Sequence, residues 1–279
     1  SSHSSVDRSS YFYYERVIHL LHVNELTKTY DGVTNQLDRV TATFPRGQWT
    51  TILGPNGSGK STLLRALART HEPTSGTYTI EGERADAMPL KAFARRVATV
   101  HQQNEAPFDL TVERLVRYGR LPYETLFSRP TERDDEAVDW AMRETDVYDK
   151  RKQSFGQLSG GERQRVWIAL ALAQQTDVLL LDEPTNHLDA YYQYDILDLL
   201  KRLNRMHGLT IVTVLHDMNQ ALRYSDQLLL LERGRLVARG APRDVLTERL
   251  VRDVYGIHLV IREEEGVGPY AVTLGKEER

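Results

Sequence analysis

The apolar residues of this chain fall into two patterns, short runs that are typical of strands and periodic spacing that is typical of helices. The predicted strands are rich in β-branched residues and lie at residues 17–23, 41–44, 49–53, 77–80, 178–181 and 211–215. The clearest helical face is formed by Ile196, Leu199, Leu200 and Leu203. Strands that alternate with helices predict an α/β fold built on a parallel central sheet.

Charged helices interrupt this alternation between about residues 104 and 165. Helical patterns at residues 111–120 and 131–145 carry charged faces, and no convincing strand lies among them. We interpret this region as a helical insertion into the α/β core. Residues 1–16 begin with a serine-rich, apolar-poor stretch, so we interpret them as a disordered tail or an expression remnant, followed by one domain at residues 17–279.

Composition refines this picture mainly by exclusion. The 36 Lys and Arg residues are balanced by 39 Asp and Glu residues, so the chain has no overall basic field for nucleic acid, and we expect no nucleic-acid partner. The absence of cysteine excludes a disulfide framework and leaves oxygen and imidazole as the ligands for any metal. No apolar stretch approaches the roughly 20 residues that span a bilayer, so we expect no membrane-crossing segment.

A glycine-rich loop follows the predicted strand at 49–53 and precedes a predicted helix at 62–69. It matches the P-loop pattern G-x-x-x-x-G-K-[ST] and consists of Gly54, Pro55, Asn56, Gly57, Ser58, Gly59, Lys60, Ser61 and Thr62. Backbone N–H groups in such a loop bind the phosphates of a nucleotide such as ATP. We expect Lys60 to reach the β- and γ-phosphates and Ser61 to ligate Mg²⁺. A P-loop alone leaves kinases, GTPases, helicases and transport ATPases open.

Polar residues end two of the predicted central strands. Asp182 and Glu183 follow the strand at 178–181, at the edge of the sheet where α/β folds bind ligands. We expect Asp182 to hold Mg²⁺ through water and Glu183 to act as general base for the attacking water, a solvated acidic cap being the alternative. His216 ends the strand at 211–215 and is a candidate contact of the γ-phosphate, with packing as the alternative.

A second candidate anion site opens the predicted helix at 162–175. Ser159, Gly160 and Gly161 precede this helix, so its N-terminal N–H groups and dipole point at an anion. The chain already has one phosphate loop. A second loop has a role if it serves the nucleotide that another subunit holds.

The segment that starts at Leu158 resembles the signature L-S-G-G-x-x-x-R of the ABC transporter ATPase family, with Arg165 in the last position. The resemblance covers essentially residues 17–274. It implies the ABC ATPase fold, in which a P-loop NTPase core with a parallel central sheet carries an antiparallel β-subdomain and a helical subdomain. It also implies a C-terminal strand extension at about residues 257–279.

In this family, two subunits dimerise head to tail and enclose ATP between the P-loop of one subunit and the signature of the other. The resemblance therefore implies that Ser159, Gly160 and Gly161 bind the γ-phosphate of ATP held by a second subunit. It further implies that Asp189, in the segment after the acidic strand end, contacts that subunit. Two copies of this chain would form two competent sites.

Two further positions receive roles from the resemblance. Tyr30 corresponds to the aromatic residue that stacks on adenine, and a core tyrosine at a strand edge is the alternative. Gln102 corresponds to the glutamine that links Mg²⁺ and the attacking water to the helical subdomain. Gln103 is adjacent and is an alternative for this position, and His101 stands where the family often has proline.

Short segments narrow the class of transporter. Tyr118-Gly119-Arg120-Leu121-Pro122, Ser128-Arg129-Pro130 and Val254-Tyr255-Gly256-Ile257 are similar to segments of the ATPases that import iron-siderophores, haem and cobalamin. A generic surface helix with a turn is the alternative, and zinc and manganese importers have related ATPases. The resemblance implies a second ATPase copy, two transmembrane permease subunits and, indirectly, an extracytoplasmic substrate-binding protein. It places the chain at the cytoplasmic face of a bacterial membrane, as a peripheral subunit.

Two rival interpretations belong to other classes. A soluble ABC ATPase that acts on ribosomes or DNA would typically have two ATPase units or a long coiled coil, and this sequence has one P-loop and no sustained heptad pattern. A small-molecule P-loop kinase would leave Ser159, Gly160 and Gly161 without a role.

Overall fold

The computed structural model describes residues 19–125 and 127–276, so the predicted tail at residues 1–16 lies outside the described part of the chain. Its strands are β1 His19–Thr29, β2 Asn35–Pro45, β3 Trp49–Leu53, β4 Ser75–Ile80, β5 Glu83–Arg84, β6 Val97–Val100, β7 Val178–Asp182, β8 Thr210–Val214, β9 Gln227–Glu232, β10 Arg235–Gly240, β11 Ile257–Glu264 and β12 Gly268–Lys276. Its α-helices are α1 Lys60–Leu67, α2 Leu90–Ala94, α3 Val112–Arg117, α4 Glu132–Glu144, α5 Gly160–Ala173, α6 Ala190–His207, α7 Met218–Tyr224, α8 Pro242–Val245 and α9 Glu248–Tyr255.

The central sheet has the strand order β10-β9-β3-β8-β7-β6. Strands β3, β6, β7, β8 and β9 run parallel, and β10 pairs antiparallel with β9. A separate antiparallel sheet has the order β2-β1-β4-β5. The α/β class, the parallel central sheet and the antiparallel β-subdomain are therefore confirmed.

Both faces of the central sheet are buried, which explains the continuously apolar runs. Leu179 and Leu181 of β7 face a core cluster built with helices α3 to α6. Val178 and Leu180 point to the opposite face, into a cluster built with α1 and the antiparallel sheet. Because side chains alternate along a strand, only a strand with two covered faces needs an apolar residue at every position.

The helical insertion contains α3 and α4, and its described residues form no strand beyond an isolated bridge between Thr111 and Ser154. A 3₁₀ helix at Tyr118–Tyr123 buries Arg120, whose side chain donates to Asp134 Oδ1 at 2.9 Å and to the Ala173 carbonyl at 2.7 Å. The alternative of a generic surface helix is wrong for Arg120, because this residue ties the insertion to the end of α5.

Removal of the Asp134 carboxylate should destabilise the fold strongly. We expect Asp134→Ala to lower the free energy of unfolding by about 3–5 kcal/mol, because it leaves the buried Arg120 guanidinium without its counter-ion. Urea denaturation would measure this. The matched control is Asp135→Ala, which removes an exposed partner 2.7 Å from Arg117 and should cost less than about 1 kcal/mol. Equal losses in the two variants would contradict a structural role for the buried pair.

A hairpin of β11 and β12 ends the described chain, where the sequence predicts a strand extension. It packs on α7, and the Asn219 side chain exchanges two hydrogen bonds with the Ala271 backbone, at 3.1 and 2.7 Å. No helix of the described residues is long and apolar enough to cross a membrane.

Candidate active site

The P-loop joins β3 to α1 and is shaped by its glycines. Gly59 has φ +100°, and a Cβ there would lie 2.4 Å from the Gln36 carbonyl oxygen. A Cβ on Gly54 would lie 2.3 Å from the Leu231 carbonyl oxygen. Side chains are therefore excluded at both positions. Helix α1 begins at Lys60, two residues before the predicted start at residue 62.

The Lys60 ammonium lies over its own loop. It donates to the Gly54 carbonyl at 2.7 Å and to the Pro55 carbonyl at 3.0 Å. Burial lowers the pKa of Lys60, and the carboxylates of Glu183 and Asp182 partly offset that effect. A buried cation whose acceptors are backbone carbonyls can exchange them for the charged oxygens of a phosphate.

A tyrosine of the C-terminal region supports this loop. Burial raises the pKa of Tyr255, the last residue of α9, to about 12, and an interaction with the Gly54 backbone lowers it in part. The sequence segment around Tyr255 was predicted only as a subfamily feature. Its contact with the first glycine of the P-loop is new from the structure.

Ser61 and Asp182 meet as a pair of oxygen ligands. The Ser61 hydroxyl donates to Asp182 Oδ1 at 3.2 Å. Burial raises the pKa of Asp182, and the Glu183 carboxylate acts in the same direction. A hydroxyl beside a carboxylate fits the oxygen chemistry of Mg²⁺. Among the described residues, no group of three or more His, Asp or Glu side chains is arranged to hold a metal ion.

Three side chains contact the Glu183 carboxylate. Glu183 Oε1 lies 2.6 Å from His216 Nε2, and Glu183 Oε2 accepts from Gln102 Nε2 at 2.8 Å and from Asn186 Nδ2 at 2.8 Å. Asp182 of β7 is in register with Val214 of β8, which brings the residues that follow both strands to one edge of the sheet. Strand β6, which precedes Gln102, pairs with β7 in the same direction. The predicted site residues Glu183, His216 and Gln102 therefore lie in contact.

Sequence reasoning identified part of this arrangement and missed the rest. The predicted Gln102, rather than its alternative Gln103, contacts Glu183. Asn186, which the sequence analysis does not single out, also contacts Glu183 through its side-chain amide. Glu183 itself has φ +50°, a conformation that is costly for a residue with a side chain and that concentrates at functional sites. No periodic pattern signals such a turn.

The second candidate anion site is the N-terminus of α5. Ser159 is the N-cap, its hydroxyl accepts from Glu162 N at 3.3 Å, and Glu162 Oε2 accepts from Ser159 N at 3.0 Å. The helix thus begins at Gly160, two residues before the predicted start. The Ser159 N–H is occupied by Glu162 Oε2, and the role of Ser159 in binding a phosphate stays a prediction. The first-turn N–H groups of Gly160 and Gly161 have no acceptor within the helix.

Two other predicted positions are exposed. The Tyr30 side chain is 52% exposed, and its hydroxyl bonds His71 Nδ1 at 2.7 Å. The alternative of a core tyrosine is therefore wrong, and stacking on adenine stays a prediction. Asp189 is exposed at the start of α6, and its side chain does not cap that helix.

Comparison with known proteins decides the family. The family model described as ABC transporter matches residues 37–186, which contain the P-loop, the signature and the acidic strand end. The ferric enterobactin transport ATP-binding protein FepC of Escherichia coli (strain K12) is 44% identical over 253 residues, which cover 90% of this chain and 93% of that protein. The chain belongs to the ABC transporter family.

Other ABC transporter proteins agree over similar lengths. The petrobactin import ATP-binding protein FpuD of Bacillus anthracis is 42% identical over 260 residues, which cover 93% of this chain and 95% of that protein. The dimeric structure of MJ0796, a bacterial ABC transporter cassette, has a TM-score of 0.69 and 30% identity, covering 80% of this chain and 99% of that one. CbiO1 of Clostridium perfringens has a TM-score of 0.75 and 29% identity, covering 85% and 94%.

The ABC assignment and the ABC ATPase fold, both predicted from the sequence, are confirmed. As an ABC ATP-binding protein, the chain binds ATP. The individual roles of the site residues stay predictions.

Proposed function

We propose that this chain hydrolyses ATP and thereby drives the import of a ferric siderophore complex through a membrane permease. The observation that carries the hydrolytic part is the Glu183 carboxylate, held by Gln102, His216 and Asn186 beside the pair Ser61 and Asp182. The cargo class is supported by relatives whose names specify ferric enterobactin, petrobactin and iron(3+)-hydroxamate.

The residues divide the chemistry between them. Lys60 exchanges its two carbonyl acceptors for oxygens of the β- and γ-phosphates, and the P-loop N–H groups bind the remaining phosphate oxygens. Ser61, Asp182 and Gln102 would hold Mg²⁺, which supplies positive charge against the phosphates. Glu183 accepts the proton of the attacking water. His216, which already lies 2.6 Å from Glu183, orients that carboxylate and contacts the γ-phosphate.

The complete site needs a second copy of the chain. Ser159 and Gly160 are exposed at the start of α5, where first-turn N–H groups attract an anion. In the proposed homodimer, these residues and Gly161 bind the γ-phosphate of the ATP that the other copy holds. Asp189 contacts the other copy itself. The dimeric MJ0796 cassette supports this arrangement. Two permease subunits anchor the dimer at the cytoplasmic face of the bacterial membrane, and an extracytoplasmic binding protein acts through them.

The test is ATPase activity of the intact complex, purified through a tag on this chain and placed in lipid nanodiscs. We expect a binding protein loaded with ferric siderophore to raise the rate several-fold, while the same protein without iron has a smaller effect. Matched arms use binding proteins loaded with cobalamin or zinc. If only the cobalamin-loaded or only the zinc-loaded binding protein raised the ATPase rate, the proposed cargo class would be wrong. If the chain co-purified with ribosomes instead of permeases, the proposed role in a transporter would be wrong.

A further inference from the structure

Two glutamines connect the segments that follow β7 and β8, behind the contact of Glu183 with His216. Gln220 on α7 donates through Nε2 to Gln193 Oε1 on α6 at 2.8 Å. Gln193 in turn donates through its own Nε2 to the Leu188 carbonyl at 2.8 Å. The two amides form a directional chain of hydrogen bonds that ends on the backbone of the loop before α6.

Gln220 is fixed to the segment that carries His216. Its side chain is 3% exposed, so its amide is costly to leave without partners. Asp217, the residue after His216, caps α7, and its Oδ1 accepts from Gln220 N at 2.9 Å. His216 and Gln220 are therefore linked through Asp217, the residue between them that caps α7.

The loop whose Leu188 carbonyl accepts from Gln193 has a strained backbone. Glu183 and His187 have φ +50° and +61°, and left-handed conformations at such residues persist only when their surroundings hold them. Within the loop, Asn186 N donates to the Glu183 carbonyl at 3.0 Å. The bond from Gln193 to Leu188 is a further constraint, and it comes from outside the loop.

Leu188 also connects this loop to the signature. A Cβ placed on Gly160 would lie 3.6 Å from Leu188 Cδ2, so the Leu188 side chain borders the start of α5. Asp189 follows directly and begins α6. The loop that Gln193 holds is therefore the one that borders both Asp189 and the N-terminus of α5.

We propose that Gln193 and Gln220 are positioning residues. Their hydrogen bonds couple the conformation of the loop at residues 184–189 to the position of His216. This inference rests on the proposed function, in which Asp189 and the signature meet the second copy. Gln193 must accept from one amide and donate to a carbonyl at the same time. An amide does both, whereas a carboxylate at this position would face the Leu188 carbonyl without a proton to donate.

The first test is a double-mutant cycle in steady-state ATP hydrolysis by the intact complex. We expect Gln193→Ala and Gln220→Ala each to lower kcat about fivefold, with KM for ATP nearly unchanged. Gln193→Ala removes the hydrogen bond to the loop, and Gln220→Ala removes the hydrogen bond that orients the Gln193 amide. The double variant should be no slower than the slower single variant, since both act through one chain of bonds. Gln193→Glu should lower kcat at least as much as Gln193→Ala.

The matched control is Gln174→Ala, which also removes a bond from a glutamine Nε2 to a backbone carbonyl, that of Ala94 at 3.0 Å. This variant should keep the kcat of the wild type. Wild-type kcat in the Gln193 variants, additive effects in the double variant, or an equal loss in Gln174→Ala would each overturn the proposal.

A second readout separates this inference from the proposed function. With Glu183→Gln as background, light scattering follows dimerisation as ATP is added. Gln193→Ala should require several-fold more ATP for half-dimerisation, while binding of a fluorescent ATP analogue by the monomer stays unchanged. An unchanged midpoint would contradict the positioning role. A wild-type complex that hydrolyses no ATP would contradict the proposed function alone, since the dimerisation readout needs no hydrolysis.

Discussion

Glu183→Gln should abolish ATP hydrolysis and leave ATP binding intact, so that the variant accumulates as an ATP-bound dimer. The glutamine amide has the shape of the glutamate carboxylate and can remain between Gln102, Asn186 and His216. In the wild type, the side-chain nitrogens of these three residues lie 2.6 to 2.8 Å from the Glu183 carboxylate oxygens. The amide cannot accept the proton of the attacking water. We therefore expect kcat to fall by about 10²–10⁴-fold, as measured by phosphate release.

The chain offers a matched control for this variant. Glu144 also pairs with a histidine, and its Oε2 lies 2.9 Å from His207 Nε2 on α6, in a pair that makes no contact with Glu183. Glu144→Gln makes the same chemical change and should keep the kcat of the wild type. Size-exclusion chromatography with analysis of bound nucleotide would detect the trapped dimer. Hydrolysis at the wild-type rate by Glu183→Gln would rule out Glu183 as the base.

Ser159→Arg should abolish turnover while the isolated chain still binds ATP. The long cationic side chain would stand at the exposed start of α5, where the second copy must approach, and the hydroxyl that caps Glu162 N would be lost. Loss of a group that stabilises the transferred phosphate typically costs about 10²–10³-fold in rate. ATPase assays and equilibrium binding of a fluorescent ATP analogue would measure the two effects.

Thr131 provides the control for this variant, because it caps α4 in the way that Ser159 caps α5. Thr131 and Asp134 form a capping box, as Ser159 and Glu162 do. Thr131→Arg should reproduce the loss of the cap, about 1 kcal/mol, with little effect on kcat. If Ser159→Arg stopped the isolated chain from binding ATP, the signature would serve its own nucleotide and action across the dimer would be wrong.

The parts of the site that follow from local chemistry were predictable from the sequence. Strand β3 has the predicted bounds, and β7 and β8 differ from them by one residue at most at either end, because fully buried parallel strands show as unbroken apolar runs. The register of these strands then brings Glu183 and His216 together. The start of α5 is predicted two residues late, although Ser159 followed three residues later by Glu162 is the pattern of a capping box.

Other features depend on contacts between distant segments and left no local signal. Strand β1 extends to Thr29 and β2 spans Asn35–Pro45, well beyond the predicted runs, because the two pair along their length across several irregularities in register. Burial of Arg120 requires Asp134 and the end of α5 to meet. The contact of Tyr255 with Gly54 joins positions about 200 residues apart in sequence, a separation at which no sequence period carries information.

The Lys60 ammonium already has two acceptors, the carbonyl oxygens of Gly54 and Pro55. An anion that binds Lys60 must replace these two carbonyl acceptors. Its binding free energy therefore reflects only the difference between its own interaction with the ammonium and that of the carbonyls. A singly charged anion offers little advantage over two well-placed carbonyls, whereas a triphosphate offers several charged oxygens at once. The two carbonyl acceptors of Lys60 thus favour polyphosphates over singly charged anions as ligands of the loop.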